Sequence, residues 1–225
     1  MIIFKGKQFL KDIILMEIRW YLAYSLSYRD IEELLLERWL KIDHSTINRW
    51  VIEYSIQLAN SFKIKKKITK SKWYMDETYI KVKGIWMYQY RAVDKLGNTI
   101  DCYFYKNRDK KASTKFFIKA MQSSGKPNII NIDKSGSNIS SLNEINKYLE
   151  EPEKIEIRQN KYLNNRIEQD YRFIKKIVKP MLGFKSINSA SATLDGIELH
   201  HMLRKKQHVN AAKQSIFQQF YELVS

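Results

Sequence analysis

The sequence predicts a mixed α/β protein, with an N-terminal helical region carrying a helix-turn-helix and, after it, a five-stranded mixed sheet with flanking and C-terminal helices. Three observations predict it. Apolar residues recur at helical spacing over residues 8–60, β-branched and aromatic runs separated by turn residues fill 73–106, and short strand-like stretches then alternate with helical ones. The 225 residues suffice for one mid-sized domain plus a small appendage, and 44% are apolar, with 14 Tyr, 10 Phe and 5 Trp, which excludes a disordered chain.

In the N-terminal region, Ile31, Leu34, Leu35 and Trp39 form an apolar stripe, and Ser27 with Asp30 resembles a capping box ahead of it. After a break at 41–44, Ile47, Trp50, Val51 and Tyr54 mark a second amphipathic helix with Ser45 as its N-cap. Two short helices joined tightly are the pattern of a helix-turn-helix, whose second helix reads base edges with its first exposed residues. Those are Ser45, Thr46, Asn48 and Arg49. The same pattern also fits an ordinary helical hairpin, and no turn glycine is present. Residues 62–72 hold Lys63, Lys65, Lys66, Lys67, Lys70 and Lys72, a charge run expected to be a solvated linker or to track a phosphate backbone. The domain boundary is therefore expected at residue 71, with 1–71 as the DNA-binding region and 72–225 as a catalytic domain that includes the C-terminal helices.

Beyond the boundary, 73–83, 86–94 and 99–106 read as three antiparallel strands, with Gly84 and Lys95-Leu96-Gly97-Asn98 as turns. Residues 109–123 read as a helix, 128–133 as a short buried strand, 141–149 as a helix, 154–158 as a strand and 162–178 as a long helix. Residues 188–206 and 211–223 complete the chain as helices. Three antiparallel strands followed by strands alternating with helices is the order of a ribonuclease-H-like fold.

Lys and Arg number 40 against 24 Asp and Glu, a net charge of +16, which favours a polyanionic partner. The single cysteine, Cys102, excludes a disulfide framework and reads as a buried structural thiol. His44, His200, His201 and His208 lack the spacing of a zinc protease. No apolar stretch approaches the roughly 18 residues of a membrane span, and Lys5 and Lys7 interrupt the start, so an intracellular protein is expected.

Against this basic background three carboxylates stand out: Asp76 in a strand-like run, Asp133 at the end of an apolar run, and Glu168 in a helical stretch. Phosphodiester chemistry needs an activated hydroxyl, in-line geometry and relief of charge on the leaving oxygen, which two divalent cations supply together. Mg²⁺ or Mn²⁺ on hard carboxylate oxygens suits that task. On the helix, Leu163, Ile167, Ile174 and Val178 form one stripe and Asn164, Glu168, Arg172 and Lys175 the adjoining face, so Arg172 and Lys175 are expected to approach DNA phosphates. An ordinary Glu–Arg surface pair gives the same spacing. Glu77 is expected to face away from Asp76 by strand alternation, and Glu77, Asp94, Asp101 and Asp170 to be structural or exposed.

These residues resemble the DDE transposases of the insertion-sequence-six group of bacterial mobile elements. The resemblance runs over nearly the whole chain: Leu26-Ser27-Tyr28-Arg29-Asp30, His44-Ser45-Thr46-Ile47-Asn48-Arg49-Trp50, Trp73 to Lys81, Tyr90 to Asp94, and, most specific, Lys161 to Arg172. The 34 residues between Asp133 and Glu168 match the family spacing, and Lys175 matches the basic residue that accompanies the triad. Ser135-Gly136-Ser137-Asn138 departs from the family's usual continuation after Lys134. The resemblance implies a homodimer or higher oligomer, acting on double-stranded DNA in the bacterial cytoplasm at the nucleoid. It would bind terminal inverted repeats, nick each 3′ end and join the freed hydroxyl to target DNA. A DNA-binding regulator with an inert sheet domain, and a nuclease that only hydrolyses, remain the alternatives.

Overall fold

A computed structural model describes residues 2–69, 71–159 and 165–224, and for Asn165 and Arg166 the backbone alone. The chain forms two compact units, one of residues 68–173 and one that joins 1–67 with 174–225.

The first unit is built on a five-stranded sheet of order β3-β2-β1-β4-β5. β1 (Lys72–Val82), β2 (Ile85–Asp94) and β3 (Thr99–Tyr105) form an antiparallel meander, while β4 (Ile129–Ile132) runs parallel to β1 and β5 (Glu156–Gln159) parallel to β4. That order and mix of directions is ribonuclease-H-like, as expected. The β1–β2 connection is two residues long, with Lys83 at φ 50° and Gly84 at φ 79°. Two consecutive positive φ angles are what a tight hairpin matching the strand twist requires. At the next turn Asp94 accepts bonds from the Leu96 and Asn98 amides at 2.8 and 2.9 Å. This acid is structural and buried.

α4 (Lys110–Ser124) and α5 (Gly136–Asn146) pack against each other, and Phe116, Phe117, Ala120 and Leu142 share a core with Trp73, Met75, Tyr90, Ala92, Ile130 and Ile132. Tyr74 and Val93, of opposite parity on their strands, meet Ile167 and Tyr171 of α6 (Asn165–Val178). α5 starts five residues before the helix expected at 141. Asn138 is fully buried, accepts a bond from Ser113 Oγ at 2.8 Å and donates to Glu77 at 2.9 Å. A sequence that reads as a polar turn thereby becomes the first turn of a helix.

The second unit is helical: α1 (Lys11–Ala23), α2 (Tyr28–Leu36), α3 (His44–Ile64), α7 (Ile187–Arg204), α8 (Ile216–Tyr221) and the end of α6. The Ser27–Asp30 capping box forms, with bonds of 3.1 and 2.7 Å. Two local expectations need correction. The N-cap of α3 is Asp43, whose carboxylate accepts the Ser45 amide at 2.8 Å, and not Ser45. An acid there also faces the positive end of the helix dipole. Trp39 leaves the apolar stripe, because α2 ends at Leu36 and Trp39, at φ 60°, is 96% exposed.

Among the described residues, which leave out Lys70, the lysine-dense stretch is only partly a solvated linker. Lys63 lies in the last turn of α3, the Lys67 amide donates to the Gln207 carbonyl, and the Val209 amide donates to the Lys65 carbonyl. The C-terminal helices, expected with the sheet, belong instead to the unit of the N-terminal helices. α7 is buried on almost every side, and a Cβ added at Gly196 would lie 2.6 Å from Leu22 and 3.0 Å from Ser55. Gly196 thus lets α7 approach α1 and α3 closely.

Candidate active site

β4 pairs with β1 only across Lys72–Tyr74 and ends at Ile132, so the middle of β1 continues with no parallel neighbour. Asp133 leaves the sheet into that gap. Asp76 shares the face of Tyr74 and Glu77 the face of Met75, by alternation. With no β4 backbone between them, both side chains reach round to Asp133. One carboxylate oxygen from each of Asp76, Glu77 and Asp133 lies within 4.8 Å of the others.

The expectation that Glu77 looks away from the site is therefore corrected. Alternation holds at the Cα, but a three-bond side chain beside a strand end rejoins the cluster. Glu77 accepts from Asn138 Nδ2 at 2.9 Å, and Arg108 donates to Glu77 at 3.3 Å and to Asp133 at 3.1 Å. The other Asp133 oxygen accepts the Ser135 amide at 3.1 Å, which ties the strand end to the start of α5.

Burial pushes the Asp76 carboxyl up to about 6; the nearby Asp133 and Glu168 charges add to the rise, and the Glu77 amide and Arg108 oppose it. Burial likewise raises Glu77, opposed by Asn138 and Arg108. One guanidinium thus offsets only part of the crowded negative charge. The donor set is all hard oxygen and short of positive charge, which fits a divalent cation.

Glu168 lies on the exposed side of the first turn of α6. Its helix is pinned to the sheet one turn later by Tyr171, 1% exposed, whose hydroxyl donates to the carbonyls of Asp76 (2.8 Å) and Gln89 (3.1 Å). Two positions after Glu168, Asp170 pairs at 2.6 Å with the fully buried Arg91. These anchors explain why the Glu168 charge is felt at Asp76. The buried stripe of α6 is Ile167, Tyr171, Ile174 and Ile177, with Val178 only half-buried. Arg172 and Lys175 are exposed on the Glu168 side. Leu163, Asn164 and the start of the motif at Lys161 lie outside the described residues.

In the helical unit, Ser45 and Arg49 are exposed and Thr46 and Asn48 half-buried at the start of α3. The Ser45 hydroxyl donates to Asp43 and Arg49 donates to Thr46 Oγ1 at 2.9 Å. His44 lies 2.9 Å from Glu32 and 3.5 Å from Asp43, a grouping that sequence spacing did not suggest. His200 is buried and pushed down to about 3, chiefly by burial, so it stays neutral. Asp101 is buried, with Ser123 donating to it. Cys102 is half-buried, not buried, because it sits on β3, the edge strand.

Sequence reasoning missed Arg108 and Asn138. Neither has a local signature, since both meet the acids only through tertiary packing.

A family model described as a DDE domain matches residues 70–207. The transposase for insertion sequence-like element IS431mec of Staphylococcus aureus is 42% identical over 203 residues, covering 90% of this chain and 89% of that protein. The Staphylococcus aureus transposase for insertion sequence element IS257 in transposon Tn4003 matches at the same identity and coverage. Among solved structures, the HTLV-2 integrase catalytic core domain in complex with magnesium (trimeric form) has a TM-score of 0.47 at 17% identity, covering 68% of this chain and 97% of that chain.

Proposed function

Because the chain belongs to the DDE transposases of the insertion-sequence-six group, we infer that Asp76, Asp133 and Glu168 are its catalytic carboxylates, cutting and joining DNA with a divalent cation. The observation that carries this is the meeting of Asp76 and Asp133 at the end of β4, with the Glu168 charge reaching Asp76 from α6. Asp76 and Asp133 would hold Mg²⁺ or Mn²⁺ from the sheet and Glu168 from the helix. Such cations, when bound, activate the attacking hydroxyl and relieve charge on the leaving oxygen.

The chain's own groups orient the reaction. Tyr171 fixes α6 against the Asp76 carbonyl and so sets the height of Glu168 above the sheet. Arg108 bridges Asp133 and Glu77 and offsets part of their mutual repulsion. Arg172 and Lys175, exposed on the Glu168 side, bind phosphates and position the DNA without reading sequence. The α2–α3 pair acts as a helix-turn-helix, and Ser45, Thr46, Asn48 and Arg49 read bases of the terminal inverted repeats in the major groove. At each end water attacks the phosphodiester and the element's 3′ oxygen leaves as a free hydroxyl; that hydroxyl then attacks a target phosphodiester and displaces the target's own 3′ oxygen. An oligomer of the chain holds the two ends together, working on the bacterial nucleoid. The regulator alternative has no support in these findings.

The test is a set of single substitutions, Asp76→Ala, Asp133→Ala and Glu168→Gln, in purified full-length protein. Each is expected to bind labelled end DNA like the parent and to lose both nicking and strand transfer. Undiminished strand transfer in any one of them removes that residue from the triad.

A further inference from the structure

The face of the sheet that carries Glu77 continues past the acid cluster as a line of aromatic rings. Tyr79 and Trp86 are each 57% exposed, an unusual state for two large neighbouring aromatics. The pairing register puts Tyr79 opposite Tyr88, Lys81 opposite Trp86 and Tyr88 beside Tyr105, so all five share one face. Tyr79 lies 5.3 Å from Tyr88 and 6.3 Å from Trp86 between ring centroids. On the opposite face of the same hairpin Ile80, Val82 and Met87 are buried.

Cations are interleaved with the rings. Lys81 Nζ lies 5.9 Å from the Trp86 ring centre and Lys115 Nζ 5.4 Å from that of Tyr105. Lys83 at the hairpin tip and Lys106 after β3 are also exposed. The acids that the register puts on this face, Glu77, Asp94 and Asp101, already accept hydrogen bonds from Asn138 and Arg108, from the Leu96 and Asn98 amides, and from Ser123 respectively. The strip therefore presents aromatic planes and positive charge, the chemistry that holds unpaired bases with their phosphates. A duplex buries its base faces in its own stack and cannot use such rings, and a protein partner would gain little from the lysines.

Position supplies the rest. At about 3.3 Å per residue along a strand, Tyr79 stands roughly 7 Å beyond Glu77 and Lys81 roughly 13 Å beyond it. The strip begins at the acid cluster and runs away from it along β1.

We propose that Tyr79, Trp86 and Tyr88, with Lys81, form a stacking platform for single-stranded DNA, taking the unpaired nucleotides next to the cut. This rests on the reading of the acid cluster as the site of cutting, because it assigns to the platform the strand that leaves that site.

The test uses full-length protein in EDTA, so that binding is read without catalysis. Affinity for labelled oligothymidylate is measured by fluorescence anisotropy for the parent, Tyr79→Ala, Trp86→Ala, the double variant and Trp86→Phe. Each alanine is expected to weaken binding about tenfold, within the range of base–aromatic stacking, and Trp86→Phe to retain most of the affinity. Thermal melting should be unchanged, since both rings are largely exposed. A parent that does not bind oligothymidylate, or a double variant that binds it as tightly as the parent, overturns the proposal. So does a double variant that changes oligomeric state on sizing with light scattering while its oligothymidylate affinity stays constant, because the strip is then a protein interface. Failure of the active-site reading looks different: Glu168→Gln would still cut end DNA, whatever the result with oligothymidylate.

Discussion

Replacing Asp170 by Ala should cost far more than its position on a charged helix surface suggests. Its carboxylate pairs at 2.6 Å with Arg91, whose side chain is fully inaccessible while that of Asp170 is 11% exposed. Removing the acid takes away the carboxylate that this buried guanidinium pairs with, while its contacts to Thr99 Oγ1 at 2.8 Å and to the Tyr171 ring, 5.7 Å from the ring centre, remain. Breaking one side of such a pair costs about 3–5 kcal/mol. For a chain of this size, each kcal/mol corresponds to roughly 2–4 °C in melting temperature, so a fall of at least about 6 °C is expected. Urea denaturation gives the free energy directly. The companion variant Arg91→Met with Asp170→Leu removes both charges and should recover most of the loss, since an apolar pair of similar volume replaces a buried ion pair at little cost. A loss below about 1 kcal/mol for Asp170→Ala, or no recovery in the double variant, would refute the reasoning. Because α6 carries Glu168 two positions earlier, strand transfer by Asp170→Ala should fall even at temperatures where it is folded.

Three further outcomes follow from the same geometry. Asp76 is held at about 6 in the folded, metal-free protein, above its ordinary value of 3.8. The folded state therefore keeps a proton that the unfolded state loses, so this group's stabilisation is complete below pH 3.8 and fades as pH rises to about 6, with a slope of at most about 1.4 kcal/mol per pH unit. Urea titrations in EDTA should show that slope shrinking in Asp76→Asn, and Mg²⁺ affinity by calorimetry should rise through the same window as the proton is displaced. Gly196→Ala forces a methyl against Leu22 and Ser55 and should destabilise the protein by about 1–3 kcal/mol in urea denaturation. Arg49→Ala should weaken binding to end DNA by about 1–3 kcal/mol in anisotropy titrations, with a smaller loss on unrelated duplex. Equal losses on both would mark Arg49 as a phosphate contact.

Much of the sheet unit is legible in the sequence. The β1–β2–β3 meander follows from β-branched and aromatic runs punctuated at Lys83-Gly84 and Lys95-Leu96-Gly97-Asn98, because strand period and turn chemistry are local properties. Asp76 and Asp133 are legible for the same reason, one inside a strand run and one at a strand end. Glu168 can be placed on a helix face by spacing alone. Local pattern thus dictates the order of elements and the direction in which each side chain leaves its own backbone.

Tertiary structure decided what those directions meet. Glu77 departs from the opposite face to Asp76, as alternation demands, yet joins the acids because β4 stops at Ile132 and leaves the edge of β1 open there. Arg108 and Asn138 come from a loop and a helix start that have no local mark of a site. α5 begins at Gly136, where buried Asn138 finds Ser113 and Glu77 as partners. α7 groups with α1 and α3, packed so closely that a Cβ at Gly196 would meet Leu22 and Ser55, although its apolar pattern is equally suited to a sheet. Periodicity reports that a face is apolar or charged; which neighbour covers it depends on where other segments end, and that is set by packing over the whole chain.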